Sequence, residues 1–364
     1  MEDTQPKKHA FLRFSPYRTV LFCGCLAVIL FAAIWGPMLL RFYAGTGNAF
    51  HYQGGTLAVH YLDVGQGDAI IIQFPDGRIC MMDSGTEYYY TRVKTYLTTR
   101  ILKGGNKKID FLIATHSHDD HIGGFPQLLA DFNVGVVYRP HNKAAQEPGA
   151  AVGRLADAAV YQKFIDSVYT YADQVKFIAA GEKIDGANYL MYFHTPTVVP
   201  TGTAYADFDD ISPIITLRHS NKCFVFTGDA GTRAENQFRN CAVAGAINFA
   251  SLEVYLKVGH HGSKNSTSAA FLGFIKPDKA IISVSARNMY GHPNQAVLKN
   301  LEVAGLRADA VFETRELGNI VFAKDSATDR MFFAFDNETD LSFVYMLSAA
   351  ILFFVCFANF RVVK

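Results

Sequence analysis

The sequence predicts a layered α/β domain carried between two membrane-spanning helices. From residue 56 to 336, short β-branched or alternating apolar runs take turns with segments of helical spacing, which is how sheets covered by helices read. Four side chains of metal-ligand type, His116, His118, Asp120 and His121, stand within six residues where one apolar run ends. Two long uncharged stretches flank the alternating region.

At 364 residues the chain can bury one large core or two ordinary ones. Its formal net charge of +1 sets up no global field that would demand a polyanionic partner. The six cysteines, at 23, 25, 80, 223, 241 and 356, form no CxxC pair, and three of them fall in the flanking stretches. Neither a disulfide framework nor a cysteine zinc site is indicated.

Residues 19–40 and 341–360 are 22 and 20 residues without a charge, each long enough to cross a bilayer as a helix. Core helices are rarely apolar all round over such a length. Lys7, Lys8, Arg13 and Arg18 precede the first stretch, and Arg361 and Lys364 follow the second. Asp336, Glu338 and Asp340 lie on the inner flank of the second. The charge bias predicts that the tails 1–18 and 361–364 are cytoplasmic and that the domain 45–338 lies outside the cell membrane. A cleaved signal peptide is the rival for the first span, but Arg41 follows it without a small-x-small cleavage site.

Within the domain, residues 56–64 alternate as a first strand, and the turn LDVGQGD (62–68) follows with two glycines. Strands 69–74 and 78–82 pair around Pro75-Asp76-Gly77. Asp83-Ser84-Gly85 closes that hairpin; it reads as an ordinary turn, yet Asp83 is placed to hydrogen-bond the ligand loop. Residues 88–103 have helical spacing. Six basic residues between 92 and 108, Arg92, Lys94, Arg100, Lys103, Lys107 and Lys108, run without an acid. A solvated helix face is the plainer reading of that run, and a track for a polyanion or lipid headgroups the sharper one.

Strand 111–114 leads into HSHDDHIGG (116–124), where Gly123 and Gly124 supply the backbone turn that lets the ligands converge. A helix over 122–132, a strand over 135–139 and a helix over 151–172 come next, with 142–149 an exposed loop. Strand 188–194 ends in His-Thr-Pro, and a loop rich in Thr, Pro and Asp runs to 210. Strands 211–219 and 223–226 form a second hairpin that ends in Thr227-Gly228-Asp229. Strand 252–259 enters HHGSK (260–264) and a helix beginning near Ser266. Strand 279–285, helix 294–304 and strands 308–314, 318–324 and 330–336 close the domain.

Imidazole and carboxylate ligands together suit zinc, manganese or iron better than calcium or magnesium. One histidine at a strand end is usually structural; His-x-His-x-Asp-His before a Gly-Gly turn is a far more specific pattern. His194, at another strand end, is a plausible further ligand. Asp229, with Gly228 before it to admit close approach, is a natural bridging carboxylate. Of the neighbours His260 and His261, one can bind metal while the other faces substrate. Ser263 and Ser266 read as helix caps, and the same helix start beside Lys264 as an anion site.

Taken together, VGQGD (64–68), DSG (83–85), HSHDDHIGG (116–124), TGD (227–229), VGHHGS (258–263) and NMYGHP (288–293) resemble the metallo-β-lactamase superfamily. Within it they are similar to the extracytoplasmic domain of the ComEC-type competence proteins, which internalise DNA in transformable bacteria. The likeness runs over about residues 56–336. It implies a four-layered αββα sandwich with two divalent metal ions, zinc or manganese, at one edge. Carried over by position, His116, His118 and His194 hold one metal, while Asp120, His121 and one of His260 and His261, here assigned as His261, hold the other. Asp229 bridges them. Two cations about 3.5–4 Å apart would lower the pKa of a shared water and stabilise both attacking and leaving oxygens, which suits phosphodiester hydrolysis. Asp120, His260, His292 and Lys264 are then the candidates to bind phosphoryl oxygens or move protons.

Three departures stand out. The channel proteins surround this domain with many spans where two are readable here, so conduction of DNA is not expected of this chain. Their metal loop often carries Asp where His118 stands, and Ala286 replaces a usual Gly. The expected function is a membrane-anchored, extracytoplasmic phosphodiesterase in a bacterial membrane, with DNA a candidate substrate. Alternatives are an esterase of phosphoryl headgroups of choline-phosphate type and a non-catalytic binding or assembly module with a structural metal. The complete ligand set argues against the last, since a structural site needs neither a bridging carboxylate nor an open position. β-Lactam hydrolysis is less expected, and no protein partner is legible.

Overall fold

The structure, a computed structural model, describes residues 24, 56–102, 104–141, 158–197, 209–324 and 331–336. The two expected membrane spans, Gly24 excepted, and both tails lie outside the described residues. Among the described residues no helix is long and apolar enough to cross a membrane.

Fifteen strands follow in chain order among the described residues: β1 (Ala58–Tyr61), β2 (Ile70–Gln73), β3 (Ile79–Met82), β4 (Lys108–Ile113), β5 (Asn133–Arg139), β6 (Gln174–Phe177), β7 (Lys183–Gly186), β8 (Tyr189–Phe193), β9 (Ile215–His219), β10 (Lys222–Phe226), β11 (Glu253–Lys257), β12 (Lys279–Ile282), β13 (Val311–Glu313), β14 (Asn319–Lys324) and β15 (Met331–Asp336). They form an eight-stranded sheet ordered β15-β14-β1-β2-β3-β4-β5-β6 and a seven-stranded sheet ordered β13-β12-β11-β10-β9-β8-β7. The helices used below are α1 (Tyr90–Tyr96), α2 (Phe125–Asp131), α3 (Ala158–Tyr171), α4 (Thr232–Asn240), α5 (Ala269–Ile275) and α6 (Gln295–Val303).

Strand periodicity builds the layers. Side chains alternate faces along a strand, so β10 sends Phe224 and Phe226 into the core between the sheets, and Cys223 and Val225 into the outer core. That outer core is shared with Phe238 of α4, Phe271, Leu272 and Ile275 of α5, and Val297 and Leu301 of α6. On the other side, Val93 and Tyr96 of α1, Leu128 of α2, and Phe164, Ile165 and Val168 of α3 pack on Ile71, Met81, Leu112 and Val137 of the larger sheet. Helix, sheet, sheet and helix layers result, the sandwich that the motifs imply.

Each sheet has a parallel part, and that is what makes a site. β3, β4 and β5 run parallel in one sheet, and β10, β11 and β12 in the other. Within each set the carboxyl ends share an edge, where chain leaving the strands must turn and where α/β sheets place their ligands. The segments leaving β3, β4, β10 and β11 carry Asp83, His116–His121, Asp229 and His260–His261.

Several elements differ from expectation. The helix expected over 88–103 is a 3-10 turn (Glu87–Tyr89), α1, and a π-helical turn (Leu97–Ile101). Thr98 and Thr99 hydroxyls donate back to the Lys94 and Thr95 carbonyls, a bond that competes with regular helix. The helix expected over 122–132 is a turn, Asp119–Ile122, and then α2, with Gly123 and Gly124 between them. Strand 211–219 begins only at Ile215, after a 3-10 turn at Asp209–Ile211. The helix expected from Ser266 starts at Ala269. Its cap is Ser268, whose Oγ accepts from Phe271 N, whereas Ser266 Oγ donates to the carbonyls of Gly259 and Ser263 and braces the histidine turn.

Candidate metal centre

His116, His118, Asp120 and His121 leave the end of β4 in one short arc. His118 caps a single helical turn, so Asp120 and His121 stand on that turn rather than in open loop. Thr115 fixes the start: its N and Oγ1 both donate to the Asp83 carboxylate, at 2.9 and 2.7 Å. Asp83 Oδ2 also lies 2.8 Å from His121 Nδ1, which orients that ring and leaves Nε2 to face the interior. Asp83 therefore supports the ligand loop in the way its position suggested.

The second contribution comes from the other sheet. Gly228 adopts φ 50, and a Cβ there would press on the Thr115 side chain at 3.0 Å, so glycine lets the two loops touch. Asp229 follows, fully buried, with its backbone N donating to Ser212 Oγ. One carboxylate oxygen, Oδ1, is 3.2 Å from His121 Nε2 and 3.6 Å from His261 Nε2. The other, Oδ2, is 3.8 Å from His116 Nε2 and 3.6 Å from His260 Nε2. The two oxygens thus face two different sets of rings, as a bridging carboxylate must.

His260 and His261 occupy consecutive left-handed conformations, φ 48 and φ 52. For residues with a Cβ each costs about 1–2 kcal/mol, and the turn is pinned by bonds that offset it. His260 N donates to Gly228 O, Ser263 N to His260 O, and Gly259 N to Thr267 Oγ1. The result points the rings apart. His261 is buried, its Nδ1 donates to Ser283 O at 2.8 Å, and its Nε2 faces Asp120 at 3.4 Å. His260 is 28% exposed and reaches toward Asp209 and Asp229.

Several overlapping groups have donor atoms within 4.8 Å of one another. Two that share no residue are His116, His118 and Asp209, and Asp120, His121 and His261; Asp229 joins others with His116 and His121 and with Asp68 and His261. Cations fit here on physical grounds. His121 Nε2, His261 Nε2 and Asp229 Oδ1 are buried without a hydrogen bond although they crowd together, polar atoms left for a ligand to satisfy. The donors are nitrogen and oxygen, the set that suits zinc, manganese or iron.

Charge agrees with geometry. Burial opposes charge on His121, but the carboxylates of Asp229, Asp83 and Asp120 outweigh it and hold the ring's pKa well above the ordinary value. Burial likewise opposes ionisation of Asp229, and the surrounding His121, His261 and His260 overcome it, holding the carboxyl well below the usual range. The carboxylates thus retain on His121 a proton that a cation would displace.

Not every expected residue joins the cluster. His194 is buried elsewhere, its Nε2 2.8 Å from Thr216 Oγ1, its Nδ1 3.9 Å from Cys241 Sγ, and its ring edge-on to Phe238. Phe193 points into the core between the sheets, so alternation turns His194 to the outer face. Lys264 is exposed, not buried among the ligands. His292 does arrive at the mouth: its ring lies 5.7 Å from that of His260, and its Nδ1 is buried without a hydrogen bond. Burial and the nearby His260 and His261 lower its pKa.

No motif marks Asp209, which closes the Thr/Pro/Asp-rich segment, or Lys257. Lys257 is fully buried with its Nζ 2.8 Å from Asp68 Oδ2, directly behind His121 and His261. A lysine at the end of the apolar run Val254–Leu256 was the available signal. Much of the basic stretch is taken up locally: Arg92 binds Asp63 O and Oδ2, Lys94 pairs with Asp131 and Lys108 with Asp110. That favours the solvated-face reading.

Residues 62–210 match the family model of the metallo-beta-lactamase superfamily. The chain is also similar to three curated proteins. ComE operon protein 3 of Bacillus subtilis (strain 168) is 27% identical over 289 residues, 72% of this chain and 32% of that protein. Competence protein ComA of Neisseria gonorrhoeae is 23% identical, over 69% of this chain and 30% of that protein. Recombination protein 2 of Haemophilus influenzae is 25% identical, over 68% and 26%. The matches span about a third or less of those relatives' lengths. The chain therefore has the α/β metallo-β-lactamase fold and is related to ComEC-type competence proteins, as the six motifs indicated.

Proposed function

We propose that this metallo-β-lactamase-fold chain is a metal-dependent phosphodiesterase that holds two divalent cations, is anchored by residues 19–40 and 341–360, and works outside the cell membrane of a bacterium. One observation carries the reading: Asp229, buried, turns one oxygen to His121 and His261 and the other to His116 and His260, between ring nitrogens that have no other hydrogen bond at His121 and His261. A pair of cations held there would lower the pKa of a shared water and take up charge on attacking and leaving oxygens.

The chain's own residues do the rest. Asp83 and Ser283 O each take the Nδ1 side of a ligand ring and so fix the tautomer that keeps Nε2 toward the centre. The partly exposed side of the cluster, His118, Asp120 and His260 at 27, 30 and 28%, is where substrate can enter. His260 and His292 stand there to hydrogen-bond phosphoryl oxygens and to move the proton of the leaving oxygen. DNA is the proposed substrate, supported by the competence and recombination for which two of the relatives are named.

The test is hydrolysis of bis(p-nitrophenyl) phosphate and of single-stranded DNA by the full chain in detergent. It is run after chelation and after return of manganese or zinc, beside Asp229→Asn. Metal-dependent cleavage of both substrates that is lost with Asp229→Asn is the expected result. Cleavage of the chromogenic ester but not of DNA points to a headgroup ester, and a folded, metal-loaded protein inert on both sinks the proposal.

A further inference from the structure

We propose that Asp209, rather than His194, completes the first metal position, so that each position is built from two imidazoles, a carboxylate of its own and the shared Asp229. The inference rests on the two-metal reading above and deepens it by naming a ligand. The Asp209 carboxylate lies where three rings converge. Its Oδ1 is 3.1 Å from His118 Nδ1 and 3.8 Å from His116 Nε2, and its Oδ2 is 3.3 Å from His260 Nδ1. Donors that each sit about 2.0–2.2 Å from one tetrahedral ion are separated by about 3–4 Å, the spacing found here.

The backbone places Asp209 independently of those rings. It opens the 3-10 turn Asp209–Ile211, and Ser212 N closes that turn by donating to Asp209 O at 2.9 Å. The same Ser212 accepts the Asp229 backbone N through its Oγ, at 3.2 Å. One serine therefore fixes the relative position of the two carboxylates that face His116. His194 has no comparable access: it is enclosed by Thr216, Cys241 and Phe238 on the outer face of the smaller sheet.

The chemical consequence concerns the metal. Replacing a third imidazole by a carboxylate makes the first position as oxygen-rich as the second, formed by Asp120, His121, His261 and Asp229. Such a donor set shifts preference toward manganese(II) or iron(II) relative to a position of three imidazoles and the shared carboxylate.

The experiment uses the full chain in detergent, stripped by a chelator, titrated with manganese(II) alone and dialysed. Bound manganese is counted by elemental analysis, and coupling between ions is read by electron paramagnetic resonance. Wild type and His194→Ala are expected to retain two ions with a spin-coupled signal. Asp209→Ala and the milder Asp209→Asn are expected to retain one, with an isolated-ion signal, while far-ultraviolet circular dichroism stays unchanged. The proposal is overturned if both Asp209 variants keep two coupled ions, or if His194→Ala drops to one. Wild type that cannot hold two ions overturns the two-metal reading itself, and this proposal with it.

Discussion

Asp83 shows how much of the centre depends on single side chains that touch no metal position. Held at φ 56, it accepts from Thr115 N and Oγ1 and orients His121 through Nδ1. Asp83→Asn preserves size, but its amide nitrogen cannot accept the proton on Nδ1. Metal affinity should fall about 10–100-fold with the fold retained, as a metal titration would show; unchanged affinity would remove Asp83 from the supporting role. His60 makes a different prediction. Buried between Tyr96 OH and Gln73 Oε1, it is held neutral by desolvation, with a pKa lowered to about 4. The unfolded chain takes up a proton near pH 6.5 and the folded chain only near 4, so stability is lost as pH falls through that interval, by about 3 kcal/mol for this group. Urea titrations from pH 7 to 4 should show that slope, reduced in His60→Gln. Legibility at this scale followed local pattern. His116, His118, Asp120 and His121 announce themselves by spacing; His194 looked suitable at a strand end, but pleating turned it outward. Asp209 gave no such sign, because it sits beside Asp207 and Asp210 in a loop whose geometry only the tertiary contact with His116 and His118 fixes.

Among the elements, the turn between β1 and β2 is the one most constrained by its neighbours. Asp68 N donates to Asp120 O and Gly85 N to Asp68 O, while Gln66 Oε1 accepts from Ser285 N across the mouth of the centre. Gly67, at φ 152, packs so closely that a Cβ would collide with the Asp120 carbonyl oxygen. Gly67→Ala should therefore cost about 1–3 kcal/mol and displace Asp120. The expected readout is a lowered midpoint in chemical denaturation together with weaker metal retention, and a variant that matches wild type in both would show that the turn can give way. Elements with a strong period were readable: β2, β3, β10, β11 and β12 lie within a few residues of expectation. β6 and β7 were not, since each is four residues long, half of them exposed, and carries little apolar signal. α4 escaped for a related reason: it buries only Ala234, Glu235 and Phe238 of its nine residues, and Glu235 is there to accept from Thr267 and Ser268 at the start of α5.

At the scale of the whole molecule, the centre joins the two sheets, because His116, His118, Asp120 and His121 follow a strand of the larger sheet while Asp229 and His261 follow strands of the smaller. Cations bound to such a set would tie the two sheets together, so their binding energy should appear as stability of the entire sandwich and not of one loop. One site at a free ion concentration 100 times its Kd adds about 2.7 kcal/mol. The pH dependence has a definite sign. Without metal, His121 is raised in the fold by Asp229, Asp83 and Asp120 against the effect of burial. Its stabilising charge is fully present below the unfolded value of about 6.5 and is lost as pH rises through the higher folded value. Asp229 is depressed, so its contribution is present above the ordinary carboxylate pKa and is lost only as pH falls through the folded one. A cation that replaces the His121 proton competes less with it as pH rises. The difference in melting temperature between manganese-loaded and chelator-treated chain should therefore widen from pH 6 to 8.5, with a single transition in both states. A difference that stays constant with pH would mean that metal does not displace the proton of His121. A second, low-temperature transition that appears only after chelation would mean that the centre stabilises a loop alone and leaves the two sheets to hold by their apolar core.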